Sequence, residues 1–311
     1  MLLAADPDEL VKLTAEELVQ QGYCDPVRVF VKNEPHTLEK VKQGRFRLIF
    51  SVSLVDQLVE RVFAWRQNGA EISMWEDIPS KPGIGFTDDM VKAVWDSVNP
   101  WLLAKILCET DISGYDFSWK DWLLWAEGEM RSRLGACPRM QRLIRNRFLC
   151  IGLSVLVLSD GRMFAQLVRA WMKSGCYITG SSNSRSRVLL AEIIGALCIA
   201  MGDDSLETYV PDAAEKYRKL GFQVKMYTVC EDSFEFCSHR YKDGKAHPES
   251  WPRTLFRLLN QGTKDSQEKF ELYSQFLMEM RHHPRLAEMV ETISRVGWFL
   301  DSSSEGKNGG C

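Results

Sequence analysis

The chain lacks a C-x-x-C pair, an apolar run of membrane-spanning length, an internal repeat, a low-complexity domain and an overall positive charge. Each absence closes a class of function. The nine cysteines (Cys24, Cys108, Cys137, Cys150, Cys176, Cys198, Cys230, Cys237 and Cys311) are odd in number and scattered. Neither a disulfide scaffold nor a zinc ribbon fits them, and reduced thiols in a cytosolic setting are expected. The opening residues Met1 to Asp6 do not read as a secretory leader. The longest apolar stretch, Val188 to Met201, is short of a bilayer and is interrupted by Glu192, so any membrane association is expected to run through partners. A formal charge of −3 argues against a generally basic nucleic-acid binder.

What is present is a 311-residue chain, 45% hydrophobic, long enough to bury a large core and to form two or three lobes. Its charge is uneven. From Arg131 to Arg147 there are six arginines (Arg131, Arg133, Arg139, Arg142, Arg145 and Arg147) and no acid. A second basic stretch, Arg28 to Arg47, carries six cations beside Asp25, Glu34 and Glu39. Either alone reads as a solvated face. Together, in an acidic chain with a candidate metal site, they favour a phosphate-lined channel.

Local patterning outlines an α+β chain. Asp6-Pro7-Asp8-Glu9 reads as an N-cap, a first-turn proline and a capping-box acid, starting a helix through about Gln21. Val27 to Val31 alternates as a strand, and Arg45 to Phe50 alternates again before Leu54 to Phe63 turns helical. Ser80 to Gly85 is a loop, and Thr87 caps the helix after it. Lys105 to Glu109 reads as a short buried strand ending at Asp111, with Ser118 placed to cap a Trp-rich helix. Leu153 to Leu158 and Met163 to Val168 flank Asp160-Gly161, the strongest hairpin signal in the chain. Ser184 to about Leu197 is expected to be helical. Ala196 to Met201 and Ser205 to Val210 then flank Gly202-Asp203-Asp204 as another hairpin. A helix near Asp212 to Leu220, a strand near Phe222 to Tyr227 and a hairpin around Phe234 to Tyr241 follow. Beyond Pro252 the pattern is helical as far as the tail Asp301 to Cys311, whose Ser, Gly and Lys content predicts disorder.

The Gly202-Asp203-Asp204 turn holds two adjacent acids, and paired carboxylates on a rigid turn suit a divalent cation. The tripeptide is short enough for chance to supply it, so its company matters. Asp111 and Asp116, with four residues between them, stand at the end of a predicted strand. Neighbouring strands lie about 4.8 Å apart, so an acid ending one can share a metal with acids on the next. Two-metal phosphoryl transfer needs such a clamp, one ion activating the attacking hydroxyl and the other neutralising the leaving pyrophosphate. Magnesium suits carboxylate, water and phosphate oxygens. Taken alone, Asp111 is more commonly a turn cap. Ser174 to Arg187 is a glycine-containing loop rich in hydroxyl and amide groups that leads into a helix, a setting suited to anions and ribose hydroxyls. The plainer reading makes Asn183 or Ser184 an N-cap.

Ser174-Gly175, Thr179 and Asn183-Ser184, followed by Gly202-Asp203-Asp204 and preceded by Asp111-x4-Asp116, resemble motifs B, C and A of viral RNA-dependent RNA polymerases. Val31 to Pro35 with Arg45 to Ile49 resembles motif F of the fingers, Asp212 to Tyr227 motif D, and Phe236 to His239 motif E, the primer grip. These motifs stand in the family's order over nearly the whole chain. Their wording is most similar to the sobemovirus and polerovirus polymerases of plant-infecting positive-strand RNA viruses. The resemblance implies a right-hand α+β fold with an antiparallel palm sheet flanked by helices and a helical thumb. Its expected parts are partial fingers over 1–104, palm over 105–120 and 161–239, a fingers insertion over 121–160, a thumb over 240–300 and a disordered tail over 301–311.

The same resemblance implies an RNA-directed RNA polymerase that replicates a positive-strand genome from ribonucleoside triphosphates with Mg2+, for which Mn2+ can substitute. Asp111 and Asp203 are implied as the principal metal ligands, with Asp204 assisting. Asp116 and Asn183 would sense the ribose 2′-hydroxyl, and Ser174 and Thr179 would shape that pocket. Such selection is physically sound, because a site built to hydrogen-bond a hydroxyl is left unpaired when the hydroxyl is missing. Lys32, Arg45 and Arg47 would hold the triphosphate, with Arg47 also placed to stack on the incoming base. Cys237 and Ser238 would support the primer 3′ end, and Arg142 and Arg145 would contact RNA. Lys225 is a candidate general acid, although its offset from Gly221 departs from the family pattern. Implied partners are template and nascent RNA, a genome-linked protein primer and other viral replication proteins, at membrane-associated complexes in the host cytoplasm.

Family polymerases carry a larger fingers region before motif F, with a template-guiding loop. Here 31 residues precede Lys32 and none resembles that loop, so a fragment, a processing product and an incompletely assembled reading frame are the alternatives the pattern leaves open. The alternative is a catalytically incomplete fragment that binds RNA and proteins in a replication complex. Clustered acids at Asp111, Asp203 and Asp204 favour the enzyme, since a scaffold has no use for charges that repel an RNA backbone. A reverse transcriptase would share the paired acids but not the Asn183-Ser184 loop or the glycine before the acids.

Overall fold

The computed structural model describes residues 1–34, 38–135, 137–262 and 265–298. It opens with α1 (Pro7–Leu10), α2 (Ala15–Gln20), β1 (Val27–Val31), α3 (Leu38–Lys42), β2 (Leu48–Ser51), α4 (Leu54–Ser73) and α5 (Asp88–Leu103). There follow β3 (Leu107–Ile112), α6 (Tyr115–Ser118), α7 (Asp121–Arg133), α8 (Pro138–Gly152), β4 (Val155–Leu158) and β5 (Met163–Ala165). Next come α9 (Thr179–Ile194), β6 (Cys198–Met201), β7 (Asp204–Thr208), α10 (Ala213–Lys219) and β8 (Val224–Val229). The last described elements are β9 (Phe234–Phe236), β10 (His239–Lys242), β11 (Lys245–Pro248), α11 (Trp251–Asn260), α12 (Ser266–Met280) and α13 (Leu286–Arg295). Pro35, Leu300 and the tail 301–311 lie outside the described residues. No helix among the described residues is long and apolar enough to cross a membrane. The mixture of helices and sheets is α+β in kind, and the elements divide into two compact units, Met1–Gly83 with Thr110–Thr228, and Ile84–Glu109 with Val229–Cys311.

In the first unit β1 pairs antiparallel with β2 and parallel with β4, and β4 returns antiparallel as β5, giving the order β2-β1-β4-β5. The parallel β1–β4 pair joins segments distant in sequence, and no local pattern announces it. A second sheet runs β6-β7-β3-β8. The Ser80 loop pairs along the outer side of β6: Ala200 N–H donates to the Pro79 carbonyl (3.0 Å), and Lys81 N–H to the Ala200 carbonyl (2.7 Å). That covers a sheet edge that would otherwise expose unpaired backbone groups. Leu18, Val29, Phe50, Trp119, Ile144, Ile178, Leu190 and Phe222 are among the residues of one contiguous core in this unit.

The second unit contains α5, the antiparallel meander β9-β10-β11 and three helices. Leu258, Phe276, Met280, Met289 and Ile293 form the helices' shared core. Ring stacking of Phe234 on Tyr241 (5.0 Å between centroids) and of Trp95 on Phe234 (5.6 Å) packs α5 against the meander. The β10–β11 turn, Asp243-Gly244, has positive φ at both residues, the conformation that an Asp-Gly hairpin turn adopts.

Several expected boundaries move for identifiable reasons. The helix predicted from Pro7 to Gln21 is broken, because Thr14 and Glu17 form a capping box that restarts the chain as α2, while at the first start Asp6 accepts from the Asp8 N–H. The strand predicted from Arg45 begins at Leu48. Lys105 takes a positive φ, so the strand carrying Asp111 starts at Leu107 and runs on to Ile112. Ser118 does not cap the following helix; it ends α6 and its hydroxyl donates to the Tyr115 carbonyl. The largest change is in α9, which starts at Thr179 instead of Ser184 and stops at Ile194, where Gly195 turns left-handed.

The early start of α9 follows from side-chain partners on every side. Ser181 and Ser182 accept from the buried Arg131 guanidinium, and Ser182 donates to Glu127 (2.7 Å). Arg185 pairs with Glu127 and with Glu71 (2.6 Å). Arg187 stands 2.5 Å from Glu207, both side chains fully buried; the contact is poorly aligned for a hydrogen bond, and Tyr217 bridges the pair by accepting from Arg187 (2.9 Å) and donating to Glu207. The loop leading into the helix is fixed in the same way. Tyr177 N–H donates to Glu60 (2.6 Å), which Arg147 also holds (2.8 Å) together with Asp56 (3.2 Å).

A buried charge left alone is costly, whereas an intact buried pair has a net value near zero or below that of a well-packed apolar replacement. Arg187→Ala is therefore expected to lower stability by about 3–5 kcal/mol in urea denaturation, while the double change Arg187→Met with Glu207→Leu, which leaves only the Tyr217 hydroxyl unpaired, costs less, about 1–3 kcal/mol. Arg133→Ala, at a surface pair with Glu129, should change stability by less than about 1 kcal/mol. A double variant as unstable as Arg187→Ala would contradict this reading.

Candidate active site

Strand alternation places Glu109 and Asp111 on one face of β3 and Thr110 and Ile112 on the buried other. Beside β3, the β6–β7 hairpin closes with a two-residue loop, Gly202 and Asp203, between the paired Met201 and Asp204. Gly202 has φ 65, the conformation required at the first position of such a Gly-X turn. Ser205 hydroxyl donates to the Thr110 carbonyl (3.3 Å), which sets the start of β7 beside the Asp111 end of β3. Asp111, Asp203 and Asp204 thus come from adjoining strands and one turn. Lys225, on β8, forms an ion pair with Asp111.

Asp116 follows on α6. Asn183 donates from Nδ2 to Asp116 Oδ1 (2.8 Å), and Asn183 Oδ1 is buried without a partner. Burial pushes the Asp116 carboxyl above the usual range; the Asn183 hydrogen bond and the Arg47 cation oppose the shift, and the Asp203 charge adds to it. Asp116 therefore senses both the acid turn and Arg47. Ser184, next to Asn183, accepts the Gly202 N–H (2.8 Å). From the sequence pattern Ser184 has no role beyond a cap; its place beside Asn183 on a helix is the signal that points to one.

The loop before α9 is closed on itself. Ser174 Oγ accepts the Phe50 N–H (3.2 Å), and Thr179 donates to the Lys173 carbonyl (2.7 Å). Both hydroxyls hold the loop's shape. A Cβ on Gly175 would lie 2.1 Å from the Phe50 carbonyl, so only glycine permits this approach of the loop to β2. Lys173 is buried, donates to the Ala170 and Trp171 carbonyls, and is brought down to about 7 chiefly by burial.

Lys32 and Arg47 face each other where β1 and β2 begin to pair, Lys32 N–H donating to the Arg47 carbonyl (2.8 Å). Both pair with Glu34, at 2.9 and 3.1 Å. Burial alone would raise the Glu34 carboxyl, but the two cations outweigh it and hold it below the usual range. Arg45 lies outside this trio, its guanidinium 3.4 Å from Gln43.

The arginine segment is not one surface. Arg131 and Arg147 are buried in the ion pairs described above, which corrects the expectation that the whole segment lines a channel. Arg133 and Arg145 both pair with Glu129, Arg145 through two hydrogen bonds, while Arg139 and Arg142 are exposed. Cys237 and Ser238 belong to the second unit, where they form the β9–β10 turn with positive φ at both residues (52 and 59). Neither is glycine, so this turn carries strain. The eight described cysteines are free.

Among the described residues no three His, Cys, Asp or Glu side chains are assembled for a metal ion. The donor chemistry nevertheless fits magnesium. Asp111, Asp203 and Asp204 offer hard oxygen atoms, and the field of Asp203 already disfavours a further negative charge at Asp116.

The sequence matches the family described as viral RNA-directed RNA-polymerase over residues 1–244. It is 44% identical over 300 residues to the replicase polyprotein P2AB of Southern bean mosaic virus, covering 93% of this chain and 31% of the relative. It is 41% identical over 310 residues to protein P1-P2 of Turnip yellows virus, covering 92% and 29%. To the RNA-directed RNA polymerase of Mushroom bacilliform virus it is 38% identical over 294 residues, covering 89% of this chain and 70% of that one. The chain thus spans just under a third of the length of the polyproteins it matches. Its fold is similar to the crystal structure of the RNA-dependent RNA polymerase of a human picobirnavirus, at a TM-score of 0.69 and 14% identity over 90% of this chain and 57% of that one. With the family match extending through every acid of the site and relatives on both the sobemovirus and polerovirus sides, the chain belongs to the viral RNA-directed RNA polymerases.

Proposed function

We propose that this chain carries the nucleotidyl-transfer centre of a positive-strand RNA virus polymerase, which extends an RNA 3′ end from ribonucleoside triphosphates. The observation that carries the reading is the junction of β3 with the β6–β7 turn, where Asp111, Asp203 and Asp204 adjoin the Asn183–Asp116 pair. The fingers, palm and thumb parts inferred from the sequence are proposed with it, α11 to α13 corresponding to the thumb.

Asp111 and Asp203 would hold Mg2+ or Mn2+, with Asp204 assisting. Bound ions would lower the pKa of the attacking hydroxyl and neutralise the leaving pyrophosphate. The chain's own groups do the rest. Asn183 and Asp116 orient the ribose through its 2′-hydroxyl, which satisfies the buried Asn183 Oδ1. Lys32 and Arg47 exchange their contact with Glu34 for the triphosphate, and Arg45 adds charge at its edge. Ser174 and Thr179 keep the loop beside the ribose in shape, and Cys237 and Ser238 support the primer through a rigid turn. Lys225, paired with Asp111, can supply a proton to pyrophosphate once it is displaced. Template and nascent RNA, a protein primer and membrane-bound replication partners in the host cytoplasm complete the proposal.

On a primed RNA template with ribonucleotides and Mg2+ or Mn2+, the chain should extend the primer, and Asp203→Ala should reduce extension to background without unfolding. Retention of the rate would remove Asp203 from the metal site. Absence of extension by the unmodified chain, with RNA binding intact, would favour the non-catalytic component instead. Asn183→Ala should narrow the ribonucleotide over deoxynucleotide preference by about tenfold, the worth of roughly one lost hydrogen bond, and an unchanged ratio would exclude it from ribose sensing. In RNA binding measured against salt, Arg142→Ala should reduce the slope by about one. Arg145→Ala should reduce it less, since Glu129 already compensates that cation. Equal slopes in all three proteins would return both residues to a solvated face.

A further inference from the structure

We propose that Ser184 is a positioning residue, whose hydroxyl ties the ribose-facing helix to the acid turn and holds Asp203 in place. The inference rests on the proposed polymerase reading of the site and deepens it. Ser184 is fully buried, and its hydroxyl has both directions assigned. Its proton goes to the Gly180 carbonyl (2.8 Å), the helix residue one turn before it, which leaves a lone pair facing Gly202. The Gly202 N–H donates to that lone pair (2.8 Å). In a two-residue hairpin loop the ladder ends at the flanking pair, here Met201 and Asp204, so the N–H of the first loop residue needs a partner from elsewhere. Ser184 provides it. With that bond the turn is pinned at Gly202, the residue immediately before Asp203.

The position of Ser184 gives the bond a second consequence. Asn183, its neighbour on the helix, holds Asp116, and the Tyr115 hydroxyl reaches the Asn183 carbonyl (3.4 Å). Arg185 and Arg187 clamp the same turn of α9 on its other sides. A helical segment fixed this way cannot shift Asn183 without shifting Ser184. The residue that reads the ribose and the residue that pins the acid turn therefore move as one body, and a misplaced nucleotide disturbs the acids through the helix. Misplacement of reacting groups by about 1 Å can reduce a rate by about a hundredfold.

The test uses the full chain and two readouts, one of them free of nucleotide and metal. Hydrogen exchange at the Gly202 amide of the metal-free protein should be protected, accelerating about tenfold or more in Ser184→Ala and remaining protected in Ser184→Thr, whose hydroxyl can make the same two bonds. In primer extension Ser184→Ala should lower kcat about 10–100-fold with KM for nucleotide within about twofold, and Ser184→Thr should recover most of the loss. Unchanged exchange at Gly202 in Ser184→Ala overturns the proposal, as does a fall in kcat that Ser184→Thr fails to restore while Gly202 stays protected. If Ser184→Ala does not fold, fast exchange at Gly202 in the unmodified protein overturns it alone. Asp203→Ala separates the two claims: if that variant keeps its rate the polymerase reading fails, whereas loss of activity there with an unaffected Ser184→Ala rejects only the role of Ser184.

Discussion

The first two turns of α9 are polar around their whole circumference and buried around most of it, and the first unit is organised by that conflict. A buried hydroxyl, amide or guanidinium without a partner costs more than most single contacts in a protein can return. Neighbours supply partners for most of these groups, the buried Asn183 Oδ1 and Ser186 Oγ being exceptions. Arg131 meets Ser181 and Ser182, Asp116 meets Asn183, the Gly202 amide meets Ser184, Glu71 and Glu127 meet Arg185, and Glu207 with Tyr217 meets Arg187. Those partners lie on α4, α6, α7, β7 and α10 and in the β6–β7 turn, so one helix sets where six other pieces of chain must stand.

An apolar helix of the same size would bury more area and, by the usual balance for buried ion pairs, stabilise the fold at least as well. It would not define its rotation. Apolar side chains accept a neighbouring position with small repacking losses, whereas a hydrogen-bonded helix turned by one residue loses all its partners together. The orientation thus fixed points Asn183 at Asp116 and Ser184 at Gly202, which a stripe of leucines could not specify. We read the charges inside this unit as determinants of geometry, with stability supplied by the surrounding core.

This also explains which parts were legible in the sequence. Val27 to Val31 was readable because strand alternation reports burial on one face, and its observed ends coincide with the pattern. The acid hairpin was readable because Gly202 before Asp203 is turn chemistry in itself. The start of α9 was not, since hydroxyl and amide residues resemble a loop when no apolar stripe accompanies them. Arg131 and Arg147 read as surface charge because a sequence shows the charge and conceals its partners, Glu127 and Ser181 for one, Asp56 and Glu60 for the other. Pairing of β1 with β4 depended on strands more than a hundred residues apart. The residues of the candidate site are named by motif, but the contact of Ser184 with Gly202 is a tertiary fact about two motifs.

Charge placement has a final consequence for nucleic-acid binding. The net charge of −3 opposes long-range attraction to RNA, and the arginine-rich segment is the feature of the sequence that would offset it. Since Arg131, Arg147, Arg185 and Arg187 are spent on buried partners, that offset shrinks, and Glu129 and Glu34 neutralise further cations near the surface. Long-range attraction is therefore modest, and the proposed nucleotide site would depend on cations that change partner at short range. Lys32 and Arg47 are such cations in the proposed site: Glu34 keeps them paired and close together, and under that proposal a triphosphate, with more charge than one carboxylate, would displace it without reordering two long side chains. The same logic applies at Asp111, where Lys225 stands as a counter-cation that, under the proposed metal assignment, a divalent ion would outcompete. In both places the ligand-free protein holds its charged groups in compensated pairs, which keeps them positioned while leaving the exchange of partner to the ligand of higher charge.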